Sequence, residues 1–450
     1  MAGIRLALVG LTLLGCSPAR TPASAPSPTP APAVSSALAA AHPEVASILH
    51  DIDAARLQAD VYRLAAFGTR HTLSDTTSDT RGIGAARRWI EAEFRRAGGG
   101  AMQVALEAHT VRADGKRIPR DVDVVDVVAT LPGASPRRVY VEAHYDSRRT
   151  DVMDSTNDAP GANDDASGVA VLLELARVVS RHRFDSTIVL LATAGEEQGL
   201  FGAKEHVATL GGVDVRAVLN DDIVGDPAGA DPHVVRVFSK GDDESPAREL
   251  ARFVADTAAR EHLDVSPLLV FRADRTLRGG DHLPFAEAGI PAVRFTASGE
   301  DYTRQHQDVR VEKGVAYGDT PAYVDAAYLA GVARVNAAVL VRLANAPEAP
   351  PDTRLVAELS NDTLLRWSPS RDADVAGYEV VWRDTTSPSW EHGLDVGRAL
   401  EARLPVSKDD FFFGVRARDS SGYLSLVSPA RPVSPGTATP APAPAPTSPR

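Results

Sequence analysis

The stretch TIVLLATAGEEQGLFG, residues 187–202, runs from an unbroken apolar segment into a polar turn. Residues 187–193 predict a fully buried strand, because a strand covered on both faces carries apolar side chains at successive positions. Glu196 and Glu197 follow at the carboxyl end of this strand. Adjacent carboxylates repel each other unless positive charge lies near, so the pair indicates either a solvated loop or a site beside a metal ion.

Strands and helices alternate on both sides of this stretch. Predicted strands cover residues 122–131, 138–143, 187–193, 215–220 and 292–295, and predicted helices cover residues 81–96, 167–180, 200–210, 246–260 and 321–343. The alternation predicts an α/β fold, a three-layer sandwich around a mixed, mostly parallel sheet. Active sites in such folds lie at the carboxyl ends of the strands.

Polar residues adjoin several of the other predicted elements. The segments are AHYD (residues 143–146), PGANDDASG (160–168), NDD (220–222), GDH (280–282) and QHQD (305–308). Taken singly, each has an ordinary explanation as a structural histidine, a helix cap or a turn. Taken together, they offer histidine and carboxylate ligands, which suit zinc.

In chain order, with residues 193–202 as the third motif and with residues 280–282 and 305–308 as the two halves of the fifth, these segments resemble the five motifs of the double-zinc aminopeptidases of peptidase family M28, which include bacterial leucyl aminopeptidases. The resemblance covers roughly residues 60–345. It implies a metal-dependent exopeptidase that removes N-terminal residues from peptides and holds two zinc ions per chain.

The resemblance also implies a role for each matching residue. His144 and Asp222 are expected to bind one zinc ion. Glu197 and His306 are expected to bind the second ion, with Asp164 bridging both.

Glu196 resembles the general base of the family, and Asp146 resembles the acid that orients His144. The family often has a cis peptide bond at the position of Asp164–Asp165. It also often has a tyrosine where Gln305 stands, which contacts the tetrahedral intermediate, so the oxyanion donor stays open here. The candidates for the wall of the pocket are Asp165, Asp281, His282, Tyr302 and Gln305.

Three other functions stay open at this point. A carboxypeptidase or dipeptidase on the same core needs a basic pocket for the substrate carboxylate, and the candidates are Arg272, Arg275, Arg294 and Arg304. A glutaminyl-cyclase-like transferase resembles this family but works with one zinc ion. A binding module with an inactive peptidase domain is the third, although the complete set of expected ligands argues against it.

The pattern changes after the expected peptidase domain, residues 44–346. Prolines mark a linker, and residues 351–434 carry short strand-like runs without a helical pattern, which predicts a small all-β, immunoglobulin-like sandwich. The segments around Trp367, Tyr378 and residues 415–419 resemble a fibronectin type III domain. We expect these residues to form its core and to have no catalytic role.

The N-terminal residues resemble a bacterial lipoprotein signal. Residues 1–15 combine Arg5 with a short apolar run, and Cys16, the only cysteine of the chain, follows as the expected lipidation site. Residues 16–43 and 435–450 are rich in Pro and Ala, which predicts a tether and a disordered tail. These features predict a lipid-anchored protein of the cell envelope, outside the cytoplasm, with secretion as the alternative.

The formal net charge is −12, and the acidic residues are scattered along the chain. Nucleic-acid binding usually requires a clustered basic face, so no nucleic-acid partner is expected. The expected partners are peptide substrates and, through the lipid anchor alone, a membrane. The sequence indicates no particular oligomeric state.

Overall fold

The computed structural model describes residues 42–435. The expected signal peptide, Cys16, nearly all of the tether and all but the first residue of the tail lie outside the described residues.

An eight-stranded sheet lies at the centre of the first part. Its strands are β1 (Gln103–Val111), β2 (Val122–Leu131), β3 (Ser135–His144), β4 (Ser186–Thr193), β5 (Val215–Asp221), β6 (Val234–Ser239), β7 (Ser266–Val270) and β8 (Ala292–Ala297), in the order β1-β2-β4-β3-β5-β8-β6-β7. The four central strands are parallel, and antiparallel pairs join the outer strands to them. Every residue of β4 is buried, as its unbroken apolar run predicts.

Helices cover both faces of this sheet. They are α1 (Pro43–Asp51), α2 (Ala54–Ala65), α3 (Gly82–Gly98), α4 (Ala166–Val179), α5 (Glu196–Gly199), α6 (Phe201–Thr209), α7 (Pro246–Arg260), α8 (His282–Glu287) and α9 (Ala326–Asn345). Helices α4 and α9 belong to the large core on one face, whereas α6 and α8 pack with Tyr140 and Val189 on the other. The short hairpin β9 (Arg310–Glu312) and β10 (Val315–Tyr317) follows His306.

The start predicted for the last of these helices, residue 321, is wrong. A short 3-10 helix occupies Pro321–Tyr323, and α9 begins only after Asp325, whose side chain accepts hydrogen bonds from the backbone of Ala327 and Tyr328. By length and composition α9 resembles a membrane span, but 83% of its apolar window is buried inside the protein. It is therefore explained as a core helix.

The second part consists of two four-stranded sheets. One contains β11 (Arg354–Val356), β12 (Thr363–Arg366), β15 (Glu401–Leu404) and β18 (Arg431–Val433), and the other contains β13 (Val375–Asp384), β14 (His392–Gly397), β16 (Phe411–Asp419) and β17 (Ser428–Pro429). Trp367 and Trp382 are buried between them. The predicted class, an α/β fold followed by an all-β part, is confirmed, and the fibronectin type III resemblance stays a prediction.

The all-β part contacts helix α7 through buried ionic groups. Arg416 of β16 lies 2.6 Å from the carboxylate of Glu379 and 3.0 Å from that of Asp256 in α7. Trp390 donates a hydrogen bond of 2.9 Å to Glu249 of the same helix. The ends of the described chain also meet, because the ring of His42 stacks on Tyr423 with centroids 3.9 Å apart.

Candidate metal centre

Five expected ligands come together at the carboxyl ends of the central strands. His144 is the last residue of β3, and Asp222 directly follows β5. Glu197 lies in α5, just after β4, and Asp164 lies just before α4. His306 comes from the loop before β9, where it adopts a φ of 57°.

The ligand atoms form two groups that share Asp164. One carboxylate oxygen of Asp164 lies 3.1 Å from Nε2 of His144, and Asp222 lies 3.8 Å from the same nitrogen. The other oxygen of Asp164 lies 2.9 Å from Nε2 of His306, which is 3.0 Å from Glu197. Within each group the ligand atoms lie within 4.8 Å of one another.

The donor set fits a pair of divalent cations. Nε2 of His144 and Oε1 of Glu197 are buried and make no hydrogen bond of acceptable geometry with any described residue. Buried polar atoms of this kind are costly unless another group satisfies them. Imidazole nitrogens and carboxylate oxygens without a thiolate are ligands of zinc sites.

Asp146 connects the two ends of this arrangement. Its backbone oxygen lies 3.1 Å from Nδ1 of His144, and its carboxylate lies 3.5 Å from the same nitrogen. The carboxylate also accepts hydrogen bonds from the backbone nitrogens of Glu196 and Glu197 and from Thr72. One buried side chain therefore orients a histidine and fixes the turn that carries both glutamates.

Asp165 caps helix α4 and belongs to neither of the two groups of candidate ligands. Its carboxylate accepts a hydrogen bond of 2.9 Å from the backbone of Gly168, and burial raises its pKa well above the ordinary value. A Cβ atom on Gly168 would lie 2.5 Å from this carboxylate and from the backbone oxygen of Asp221, so glycine lets α4 begin this close to β5. The peptide bond between Asp164 and Asp165 is cis.

Two arginines contact the ligand carboxylates. Arg294 is fully buried, and its guanidinium lies 2.9 Å from Asp222. Burial alone would raise the pKa of Asp222, but Arg294 and His144 outweigh it and hold that pKa below its ordinary value. Arg148 lies 3.3 Å from Glu197 and 2.7 Å from Nδ1 of His306.

A cavity of about 470 Å³ opens over this centre. Glu196 lines it together with Asp164, Glu197 and Asp222. The backbone nitrogen of Glu196 donates a hydrogen bond to the carboxylate of Asp146, and burial raises the pKa of the Glu196 carboxyl well above the ordinary range. A carboxyl group that faces a cavity beside the expected metal ligands is placed where it could accept and return a proton.

The other pocket candidates differ in their placement. Gln305 lines the cavity and donates a hydrogen bond of 2.9 Å to Asp164. Asp281 and His282 are buried behind the cavity: Asp281 accepts from Thr193, and burial lowers the pKa of His282 to about 4. Tyr302 is 63% exposed and is not among the residues that line the cavity, so its place in the pocket wall stays a prediction.

The arginines considered for a carboxypeptidase also separate. Arg275 lines the cavity. Arg294 lies beneath it against Asp222, and Arg304 pairs with Asp226 and Asp301. Arg272 is exposed and donates to Thr276.

Two buried residues that stabilise the centre lie outside the sequence motifs and were not among the expected site residues. Asp319 accepts hydrogen bonds from the backbone of Asn163 and Asp164, and burial raises its pKa to about 6. Arg70 donates to the backbone oxygens of Tyr145, Pro160 and Gly161. Neither residue belongs to a recognisable local pattern, because each acts on a segment far away in the chain.

Sequence comparison finds a family model and closely similar relatives. Residues 126–322 match the model of peptidase family M28. A probable zinc metalloprotease of Leptosphaeria maculans is 46% identical over 87% of this chain and 97% of the relative. A probable zinc metalloprotease of Pyricularia oryzae is 46% identical over 85% of this chain and 83% of the relative.

Structural comparison finds similar folds at low identity. The Legionella pneumophila LapA aminopeptidase has a TM-score of 0.52 at 20% identity, over 68% of this chain and 76% of its own. A leucine aminopeptidase precursor from Bacteroides thetaiotaomicron has a TM-score of 0.52 at 20% identity, over 65% and 97%. A Porphyromonas gingivalis glutaminyl cyclase has a TM-score of 0.50 at 20% identity, over 64% and 98%. At these identities the likeness establishes the fold alone.

Proposed function

The chain belongs to peptidase family M28, and on that premise we propose that it is an aminopeptidase that hydrolyses the N-terminal residue from peptides with two zinc ions. One observation carries the proposal: the two carboxylate oxygens of Asp164 face two separate ligand groups, one with His144 and one with His306. A site for one ion would not require a carboxylate whose two oxygens face two separate ligand groups. When bound, the two zinc ions would polarise the scissile carbonyl and lower the pKa of a water from about 15.7 toward about 7.

Glu196 is the proposed general base. It lines the cavity beside the ligand groups, and its raised pKa favours a carboxyl group that is protonated for part of the cycle. In this mechanism Glu196 accepts a proton from the attacking water and then donates it to the leaving amine. The carboxylate of Asp146 accepts a hydrogen bond from the backbone nitrogen of Glu196 and so keeps Glu196 in place.

We propose that Gln305 contacts the scissile carbonyl of the substrate, from the position where the family often has a tyrosine. Its amide donates to Asp164, and its oxygen accepts from Arg278 at 3.1 Å, so both ends of the side chain are fixed. The acidic groups of the centre would attract the free amine of a peptide, which favours exopeptidase action over internal cleavage.

A glutaminyl-cyclase-like transferase is the second candidate, because one of the similar folds is a glutaminyl cyclase. The two functions differ in metal content. About two zinc ions per chain supports the aminopeptidase, and about one ion favours the cyclase.

A panel of matched peptides tests the proposal. Free peptides, N-acetylated peptides and C-amidated peptides of the same sequence are incubated with the enzyme, with chelator, and with chelator followed by zinc. We expect hydrolysis of free and C-amidated peptides, none of N-acetylated ones, loss with chelator and recovery with zinc. Hydrolysis that requires a free C-terminus, or cyclisation of N-terminal glutamine without peptide cleavage, contradicts the proposal.

We also propose that Cys16 carries a lipid that holds the enzyme at the cell envelope, with peptides as its substrates. The sequence pattern of residues 1–16 supports this. Labelling with a fatty-acid analogue in a bacterial host should mark the wild type and leave Cys16→Ser unmarked. Equal labelling of both forms excludes Cys16 as the lipidation site.

A further inference from the structure

The walls of the cavity carry more positive charge than the proposed reaction uses. Three segments contribute: the loop between β1 and β2, the start of α6, and the loop between β7 and α8. Their cationic side chains are Arg117, Lys204, Arg275 and Arg278, which we call the basic rim.

Two members of the basic rim have no acidic partner. Arg117 is exposed and donates a hydrogen bond of 2.6 Å to the backbone oxygen of Glu197. Lys204 is exposed and donates to the backbone oxygen of Gly199 at 2.9 Å. Within residues 42–435, neither makes an ion pair with a carboxylate.

The other two members share their acidic partner. Arg275 lies 2.8 Å and Arg278 lies 3.0 Å from the carboxylate of Glu300, which also pairs with Arg236. Asp274 contacts Arg275 at 3.1 Å, but it also pairs with Arg294. Four guanidinium groups, including those of Arg236 and Arg294, thus share three carboxylates, Glu300, Asp274 and Asp222, so this wall keeps an excess of positive charge.

The basic rim lies close to the reacting atoms. Arg117 is one hydrogen bond away from the backbone of Glu197, and Arg278 reaches Asp164 through Gln305. A peptide residue spans about 3.5 Å when extended, so a substrate group near the rim belongs to a residue next to the scissile bond or one further along.

We propose that the basic rim selects peptides with a carboxylate just beyond the scissile bond, supplied by an acidic side chain or by the free C-terminus of a dipeptide. The inference rests on the proposed function, since the cleavage site is what places the carboxylate. A charge-assisted hydrogen bond from arginine or lysine is stronger than one between neutral groups, and the partly enclosed cavity limits screening by solvent. A side-chain carboxylate and a C-terminal carboxylate would bind to the rim through the same chemistry, and the two pairs of test peptides distinguish between them.

The test uses two pairs of peptides with one N-terminal residue, chosen as the best cleaved in the panel above. The first pair carries Glu or Gln at the second position and is amidated; the second pair is a dipeptide with a free or an amidated C-terminus. We expect kcat/KM to be about tenfold higher for the charged member of at least one pair, the effect of one charge-assisted hydrogen bond. The preference should shrink as NaCl is raised from about 0.05 M to about 0.5 M.

The double variant Arg117→Gln, Lys204→Gln should bring the ratio close to one. Both side chains are exposed, which limits the effect on folding. Arg120→Gln is the matched control, because Arg120 is exposed on the same loop and does not line the cavity. A ratio that stays near one in the wild type for both pairs, or one that the double variant leaves unchanged, overturns the inference.

A binding measurement shows whether the inference about the basic rim fails independently of the proposed function. Calorimetry with the Glu196→Gln variant compares the Kd of the Glu and Gln peptides, whether or not the wild type hydrolyses them. Tighter binding of the acidic peptide supports the selective rim, and equal Kd values for both pairs overturn it. Absence of hydrolysis in the wild type would count against the proposed function alone.

Discussion

Two of the regions where the protein buries charged groups differ in how the charges are paired. Where the all-β part meets α7, the buried carboxylates of Glu379 and Glu249 bind Arg416 and Arg252, and the partly exposed carboxylate of Asp256 also binds Arg416. In the metal centre, Asp222 and Glu197 each contact an arginine as well, but Asp164 between them contacts two histidines and Gln305 and no arginine or lysine of the described chain.

The difference in pairing distinguishes carboxylates that stabilise the fold from carboxylates that can bind a metal ion. A carboxylate paired with arginine is already satisfied and holds two surfaces together. Carboxylates and histidines that face one another, with buried atoms such as Nε2 of His144 left unpartnered, remain incomplete without a cation. The same residue types thus fasten one region and prepare the other to bind metal.

The largest effect is expected from Asp164→Asn, which removes the negative charge shared by both ligand groups. Zinc affinity should fall by more than the roughly 100-fold loss that follows removal of an outer partner of a ligand, and activity should disappear with the metal. Elemental analysis after dialysis measures it. Asp395→Asn, in an exposed ion pair of the all-β part, should keep its full metal content. Retention of two ions by Asp164→Asn would refute the bridging role.

Glu196→Gln should lower kcat by about 10²- to 10⁴-fold and leave the zinc content unchanged, because the proposed base is not a ligand. Glu287→Gln, an exposed carboxylate on α8, is the control and should retain wild-type activity. Steady-state kinetics with parallel metal analysis distinguish the two roles. Loss of metal from Glu196→Gln would move this residue into the ligand set.

At the paired region, Arg416→Met should lower the free energy of unfolding by about 3–5 kcal/mol, because it leaves Glu379 buried without its counter-ion. Arg418→Met on the same strand breaks only an exposed pair with Asp395 and should cost less than about 1 kcal/mol. Denaturant unfolding measures both variants, and their metal content should equal that of the wild type. Similar losses for the two variants would remove the contrast between buried and exposed pairs.

The smallest effect concerns Asp60, a carboxyl group on α2 whose pKa is raised to about 7, chiefly by burial and then by Glu93. Between about pH 4 and pH 7 the folded chain binds this proton more tightly than the unfolded chain, so stability falls as pH rises through this window. Asp60→Asn should therefore raise the Tm at pH 8 and change it little at pH 4. Exposed Asp79→Asn should show no such pH dependence. A Tm difference that is the same at both pH values would contradict the assignment.

Sequence reasoning predicts the centre of the fold better than its edges. The ranges of β2 and α7 agree with the prediction, because an apolar strand and an amphipathic helix with a Ser245 cap are local signals. Strands β1, β6 and β7 are not predicted, since outer strands carry mixed burial patterns that resemble loops. The start of α9 was misplaced because the prolyl turn before it also suits a helix start.

The site shows the same division between local and distant signals. His144, Glu197 and Asp222 are recognisable because each lies in a short polar motif at the end of a strand or just after it. Asp319 acts on Asp164 from 155 positions away, and no local pattern encodes that contact. The basic rim likewise combines loops from three places in the chain, which only the folded structure brings to one cavity.

The stacking of His42 on Tyr423 has a practical consequence for anyone who dissects this enzyme. The first helix is held by a residue of the last sheets, and Glu44 of that helix accepts a hydrogen bond from the same tyrosine hydroxyl. Removal of the part after the proline-rich linker would expose surfaces of the amino-terminal helix and of α7 that the all-β part now contacts. A catalytic fragment without the carboxyl-terminal sheets would therefore lose these contacts, and the two parts are best expressed and engineered together.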